Sequence, residues 1–228
     1  MDPLDVAGEF LPIILVDLNA SWITMLSRGV PISFPGQTMI AWRDLPSSEN
    51  GMYLVRRGMV RLSYISPGGK ERVLFYIGQG TLFHEIPMLH KTRDYLFTCM
   101  EPTEAVFLPK KLLTPDFVRQ HPELVLNMYE ALGVKMRILY SSLCGDYSFD
   151  TFANVCRALY RMHLFNRVKG ELVPRLARQE LAAFLGIHRS SLHKVLSRLR
   201  DEGIIGAYNK KTMTIYDVAT LLQYASGF

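Results

Sequence analysis

The chain has 228 residues, 49% of them hydrophobic and 21% charged, with a formal net charge of +5; this is a globular balance with room for one large or two ordinary domains. It excludes a disordered or collagen-like chain, and no apolar run approaches the ~20 residues that a membrane-spanning helix needs. Three scattered cysteines, Cys99, Cys144 and Cys156, suggest neither a disulfide framework nor a zinc site, so the composition predicts a soluble cytoplasmic protein.

In chain order, the apolar stretch Phe10–Val16 is broken by Pro12 and follows acidic residues, unlike a signal peptide. From Val30 to about Lys110 the chain reads as short strands. Met52–Val55, Met59–Ile65, Val73–Ile77, Leu96–Met100 and Ala105–Leu108 are separated by Gly- or Pro-bearing turns. Ser66-Pro67-Gly68-Gly69 predicts a hairpin between Arg61–Ile65 and Glu71–Phe75. Such spacing predicts a sandwich or barrel.

Beyond Pro115 the period changes. Val125, Tyr129, Leu132, Met136, Leu139 and Leu143 recur every three or four residues, a heptad seam suited to pairing with a second copy. Gly145-Asp146 is expected to end this helix. Ser148 or Asp150 is then placed to cap a helix over roughly Thr151–Phe165.

Between Asn166 and Lys211 ten Lys/Arg face four acids, a surplus of six; the rest of the chain therefore nets −1 against the total of +5. One basic module on a near-neutral body suits a polyanionic partner. Within it, Arg178–Ser197 has the spacing of a twenty-residue helix-turn-helix. Ala182 is small where the helices cross, and Gly186 permits a left-handed turn. Leu181, Leu185, Leu192, Val195 and Leu196 are predicted to face inward. That leaves His188, Arg189, Ser190, His193, Lys194 and Ser197 outward, polar and cationic, as a helix entering the major groove requires. Arg178 and Gln179 are placed to touch the DNA backbone. Ile204–Tyr216, with Asn209-Lys210-Lys211-Thr212 at its tip, reads as a β-wing with Lys211 on a phosphate.

Taken together these segments resemble the cyclic-AMP receptor protein and fumarate-nitrate regulator (Crp/Fnr) family of bacterial transcription factors, from about Pro31 to Tyr216. The resemblance rests on Phe34-Pro35-Gly36-Gln37, Tyr53–Gly58, Gly80–Ile86, Arg178–Leu181 and Gly186–Leu196. It implies an α+β chain with a β-roll (jelly-roll) sensor over 1–114, a dimerisation helix over 115–147 and a winged helix-turn-helix over 148–228. It also implies a homodimer on palindromic promoter DNA, with RNA polymerase as a candidate further partner and no membrane. Carried over, Arg189 takes a base-reading position, Lys194 a base- or phosphate-contacting one, and Ser191 falls on the same helix end. Ser190 replaces a base-reading glutamate, so the family's usual operator is not expected.

The resemblance further places an effector site between the β-roll and the long helix. Cyclic-nucleotide binders carry a Gly-Glu-Leu turn and an Arg-Ser pair; here the chain has His84-Glu85-Ile86 and Arg93-Asp94, which argues against cyclic AMP. No N-terminal cysteine group is present for an iron–sulfur cluster. Phe97–Thr103 and Leu74-Phe75-Tyr76 are most similar to the halorespiration regulators, which implies an aromatic pocket lined by Tyr76, Phe83, Thr98 and Tyr140. Arg93 or Lys135 would face an effector carboxylate, and Glu85 could simply pair with Arg93. A haem held by His84, as in carbon-monoxide sensors, is left open, as is redox control through Cys99 or Cys144. A cupin-type metal enzyme is disfavoured, because the β region has only His84 and His90. The expected function is a non-enzymatic, effector-responsive transcription regulator.

Overall fold

The computed structural model describes residues 10–40, 50–66, 69, 71–85 and 95–227, with the backbone only for 142–148. The chain forms two compact units: 14–136, and 137–228 joined by the N-terminal residues up to Ile13.

The first unit is a roll of two sheets with helices against it. Strands β1 (Ile14–Leu15), β3 (Met39–Ile40), β5 (Val60–Ile65), β6 (Glu71–Ile77) and β8 (Tyr95–Cys99) form one sheet in the order β1-β6-β5-β8-β3. Strands β2 (Val30–Phe34), β4 (Gly51–Arg57), β7 (Leu82–Phe83) and β9 (Thr103–Pro109) form the other, ordered β2-β9-β4-β7. The expected β5–β6 hairpin is present, with Ile65 opposite Glu71, although Pro67 and Gly68 of its turn lie outside the described residues.

Alternation along β4 separates two layers. Tyr53 points between the sheets, stacked on Phe83 at 4.9 Å; Phe83 meets Phe97 of the opposite sheet at 5.3 Å. Met52 and Leu54 point the other way, into a cluster with Trp22, Leu108, Phe117 and Leu124. Each such fully buried side chain contributes about 1.5–3 kcal/mol of transfer free energy. The turn before β7 needs a glycine at residue 80, where φ is +71° and a Cβ would fall 2.1 Å from the Asp17 carboxylate.

Two helices follow, α1 (Pro115–Gln120), capped by Thr114, and α2 (Pro122–Ser148). At 27 residues α2 is about 40 Å long. Its start is pinned to the β unit. The Trp22 indole donates to the Leu124 carbonyl at 3.2 Å, and the Asn127 amide bonds both Asn19 and the Leu18 carbonyl at 3.0 Å. Leu124, Ala131 and Lys135 are consequently buried. The opposite stripe, Leu126, Tyr129, Gly133, Met136 and Tyr140, faces outward. This corrects the expected seam by one helical position. Tyr129 and Met136 are outward as expected, but Val125, Leu132 and Leu139 are half-buried, and the Leu143 side chain lies outside the description. A second correction concerns Gly145-Asp146, through which the helix runs to Ser148. One interior glycine costs about 1 kcal/mol, little against the hydrogen bonding of seven turns.

In the second unit, Asp150 caps α3 (Thr151–Phe165) by accepting from the Ala153 amide at 2.8 Å. A short hairpin, β10 (Arg167–Val168) and β11 (Glu171–Leu172), precedes α4 (Arg178–Leu185) and α5 (Arg189–Asp201). Helix α6 (Val218–Ala225) closes the unit. The segment Phe10–Pro12 packs on α3: Phe10 meets Tyr160 edge-on at 4.9 Å, and the Arg161 guanidinium donates to the Leu11 and Pro12 carbonyls. Burial, and Arg157 beside it, hold the Arg161 pKa down at about 10. Among the described residues no helix is long and apolar enough to cross a membrane.

Candidate DNA-reading face and sensor interior

Helix α4 starts where Glu180 reaches back to accept from the Ala177 amide at 2.5 Å. It ends at Gly186, whose φ of +65° is the left-handed cap the spacing requires; the Ile187 amide closes back on the Ala182 carbonyl at 3.1 Å. The turn aims α5 so that Leu192, Val195, Leu196 and Leu199 are buried, with Leu181 and Ala182 of α4 also buried. His188, Arg189, Ser190, His193 and Lys194 are exposed, and Ser191 and Ser197 half-buried, which gathers the expected set on one face of one helix.

The segment Ile204–Tyr216 is looser than a strand pair. A single bridge, Ile205 to Ile215, and a 2.8 Å bond from the Gly206 amide to the Thr214 carbonyl hold its base. Its tip is made by the Asn209 side chain, which accepts from the Lys211 and Thr212 amides at 2.8 and 2.9 Å. Buried Tyr208 anchors it through a 2.9 Å bond to the Leu176 carbonyl. Lys211 is exposed at the tip.

The basic surplus divides sharply by partner. Arg198 pairs with Glu202 at 2.7 Å, Arg200 lies 3.7 Å from Asp201, and Lys210 lies 3.9 Å from Glu180. Arg178 donates to the Tyr208 carbonyl at 3.3 Å, and Arg167 to the carbonyls of His163 and Gly170. By contrast Lys169, Arg175, Arg189, Lys194 and Lys211 have no carboxylate partner among the described residues. Gln179 is exposed on the first turn of α4. The sequence does not distinguish the two groups of cations, because their partners are set by packing.

In the β unit, Tyr76, Phe83, His84, Glu85 and Thr98 are all buried. Phe83 belongs to the aromatic stack between the sheets. His84 has a φ of +73°, the conformation for which glycine is usual in this turn. Its Nδ1 lies 2.8 Å from the Gly51 carbonyl and its ring meets Tyr53 and Phe97. Burial lowers its pKa, partly offset by the Gly51 carbonyl and the Glu85 charge. Glu85 pairs with Lys135 of α2, whose ammonium also donates to the Leu82 carbonyl at 2.8 Å. Lys135, read as facing an effector carboxylate, thus meets one supplied by the chain. Among the described residues the buried Thr98 and Ser63 hydroxyls have no hydrogen-bond partner. Tyr140, expected to line the pocket, stands on the outward stripe of α2 at 71% exposure. Arg93 and His90 lie outside the described residues, as does the Cys144 side chain. Cys99 is fully buried and burial raises its thiol pKa, the opposite of a reactive thiolate. Among the described residues no group of three or more His, Cys, Asp or Glu could hold a metal ion.

Comparison with known proteins agrees with this architecture. Residues 31–115 match the cyclic nucleotide-binding domain and residues 154–224 the Crp-like helix-turn-helix domain. A cyclic AMP receptor protein of Thermus thermophilus is 30% identical over 219 residues, covering 93% of each chain. CprK complexed with OCPA shares the fold at a TM-score of 0.74 and 19% identity, over 93% of this chain and 98% of that one. CooA from Carboxydothermus hydrogenoformans does so at 0.75 and 20%, over 92% and 100%. The chain belongs to the Crp/Fnr family. It is a DNA-binding transcription regulator controlled by an effector.

Proposed function

We propose that two copies of the chain pair through α2 and set their α5 helices into successive major grooves of a palindromic promoter site. A small effector other than cyclic AMP, bound between the β-roll and the long helix, controls the pairing geometry. The observation that carries the DNA-reading half is that Arg189, Lys194 and Lys211 are exposed with no carboxylate partner among the described residues, while Arg198, Arg200 and Lys210 face carboxylates. Arg189 is assigned to guanine, and His188, Ser190, His193 and Lys194 to base edges or phosphates. Arg178, Gln179, Ser191 and Lys211 are assigned to the DNA backbone. RNA polymerase is the partner that such a complex would recruit or block at a promoter.

Two features of the β unit support an effector other than cyclic AMP. A side chain replaces the glycine that approaches such a ligand, and Glu85 is already engaged by Lys135. The names of the relatives point to different ligands on one fold, cyclic AMP in one and OCPA in another. One observation favours a second reading. With Nδ1 of His84 held at the Gly51 carbonyl, Nε2 is the nitrogen that would ligate haem iron, and haem would supply gas binding there.

The test is fluorescence anisotropy of labelled duplex DNA against salt. Affinity should fall linearly on a log–log scale by about 0.9 per phosphate contact. Salt-independent binding, or none to any duplex from a randomised pool, contradicts the reading. A thermal-shift screen with small aromatic acids, haem and cyclic nucleotides, with Soret absorbance for haem, separates the effector classes.

A further inference from the structure

Arg198 lies one turn beyond Lys194 on α5, where a reading of charge alone extends the basic stripe toward the duplex. The geometry points to another role. We infer that Arg198 is a positioning residue: with Glu202, Phe152 and Tyr224 it clasps the DNA-reading helix to α3 and α6 and makes no contact with DNA. This rests on the DNA-reading assignment of α5 above.

Five contacts define the clasp. The Arg198 Nε donates to Glu202 at 2.7 Å, one turn along the same helix. The guanidinium lies over the Phe152 ring of α3 at 4.1 Å and within 5.9 Å of the Tyr224 ring of α6. Phe152 and Tyr224 meet edge-on at 5.1 Å. The Tyr224 hydroxyl donates to the second Glu202 oxygen at 3.3 Å, closing the ring of contacts.

An exposed i,i+4 ion pair alone is worth little. Here one planar cation serves three helices: its face is spent on an aromatic ring, its edge on a carboxylate, and that carboxylate on a tyrosine. Lysine in its place keeps the charge but loses the planar stacking and the fork of donors. Charge and positioning are therefore separable by substitution.

The experiment measures operator and random-duplex affinity against salt for the full chain and for Arg198→Lys, Arg198→Ala and Lys211→Gln, together with hydrogen exchange of the α5 amides without DNA. Arg198→Lys should lower operator affinity about tenfold, with little loss on random DNA and an unchanged salt slope. It should also speed α5 exchange severalfold. Glu202→Gln in the Arg198→Lys background should add no further loss, since both act through one clasp. Lys211→Gln should lower the slope by about 0.9. Wild-type operator affinity in Arg198→Lys, a slope reduced by about 0.9 in Arg198→Ala, or unchanged α5 exchange each overturns the clasp. Failure of the wild type to bind any duplex overturns the DNA-reading assignment instead, and the exchange result still decides the clasp.

Discussion

Arg189 is the side chain on which sequence discrimination should depend. It is exposed on the first turn of α5, with no carboxylate partner among the described residues, and a guanidinium can meet guanine with two hydrogen bonds. Arg189→Ala is expected to cost about 1–3 kcal/mol on the cognate site and to relax base preference at one position, with the melting temperature unchanged. An unaltered preference in binding selection contradicts the assignment. His84 gives a second residue-scale prediction. Its folded pKa is depressed by burial, so as pH falls below the ordinary value of 6.5 the unfolded chain takes up a proton that the folded chain resists. Stability is thus fully present above that value and declines below it. His163, lowered by burial and by Arg167, adds to the same slope. Urea unfolding at pH 7 and pH 5 should show the loss, and His84→Asn, which tolerates positive φ, should shrink it; an equal loss in both proteins contradicts it. At this scale the exposed polar face of α5 was legible, because its apolar residues recur at helical spacing and leave the cations outward. The Glu85–Lys135 pair was not, since its members lie fifty residues apart and neither carries a local signal.

Among the elements, α2 shows where periodicity informs and where it misleads. Three- and four-residue recurrence of apolar side chains identified a long helix, yet the chain offers two such rows. Trp22, Asn19 and Asn127 select the row that faces the β unit, and these contacts are tertiary. The outward row then runs through Leu126, Tyr129, Gly133, Met136 and Tyr140, with Tyr129 74% exposed. A row so apolar suits a matching row from a second copy. Met136→Asp and Leu126→Asp are each expected to shift sedimentation from dimer to monomer without unfolding the chain. A persistent dimer in both rules out this face. The helix-turn-helix was the most legible element, because Ala182 and Gly186 answer steric demands internal to twenty residues. The wing was legible in position but not in form, since one bridge and an asparagine turn replace regular strands.

For the whole molecule, the chain carries a β-roll, a long helix with an outward apolar row and a basic helix-turn-helix. A ligand favouring one dimer geometry shifts the population that fits DNA. The architecture was legible because each part carries its own period: strands and turns, then a helical repeat, then a charged bihelical unit. The effector was not, because Phe83 and Tyr76, read as pocket lining, are fully buried in the sheets, where core packing alone calls for the same residue types. The most direct measurement is selection of bound duplexes from a random pool by the purified full chain. The account predicts enrichment of an inverted repeat with half-site centres about 10–10.5 base pairs apart, or a whole multiple of that distance. Enrichment of a single unrepeated site, of half-sites on opposite faces of the duplex, or of nothing at all would contradict it.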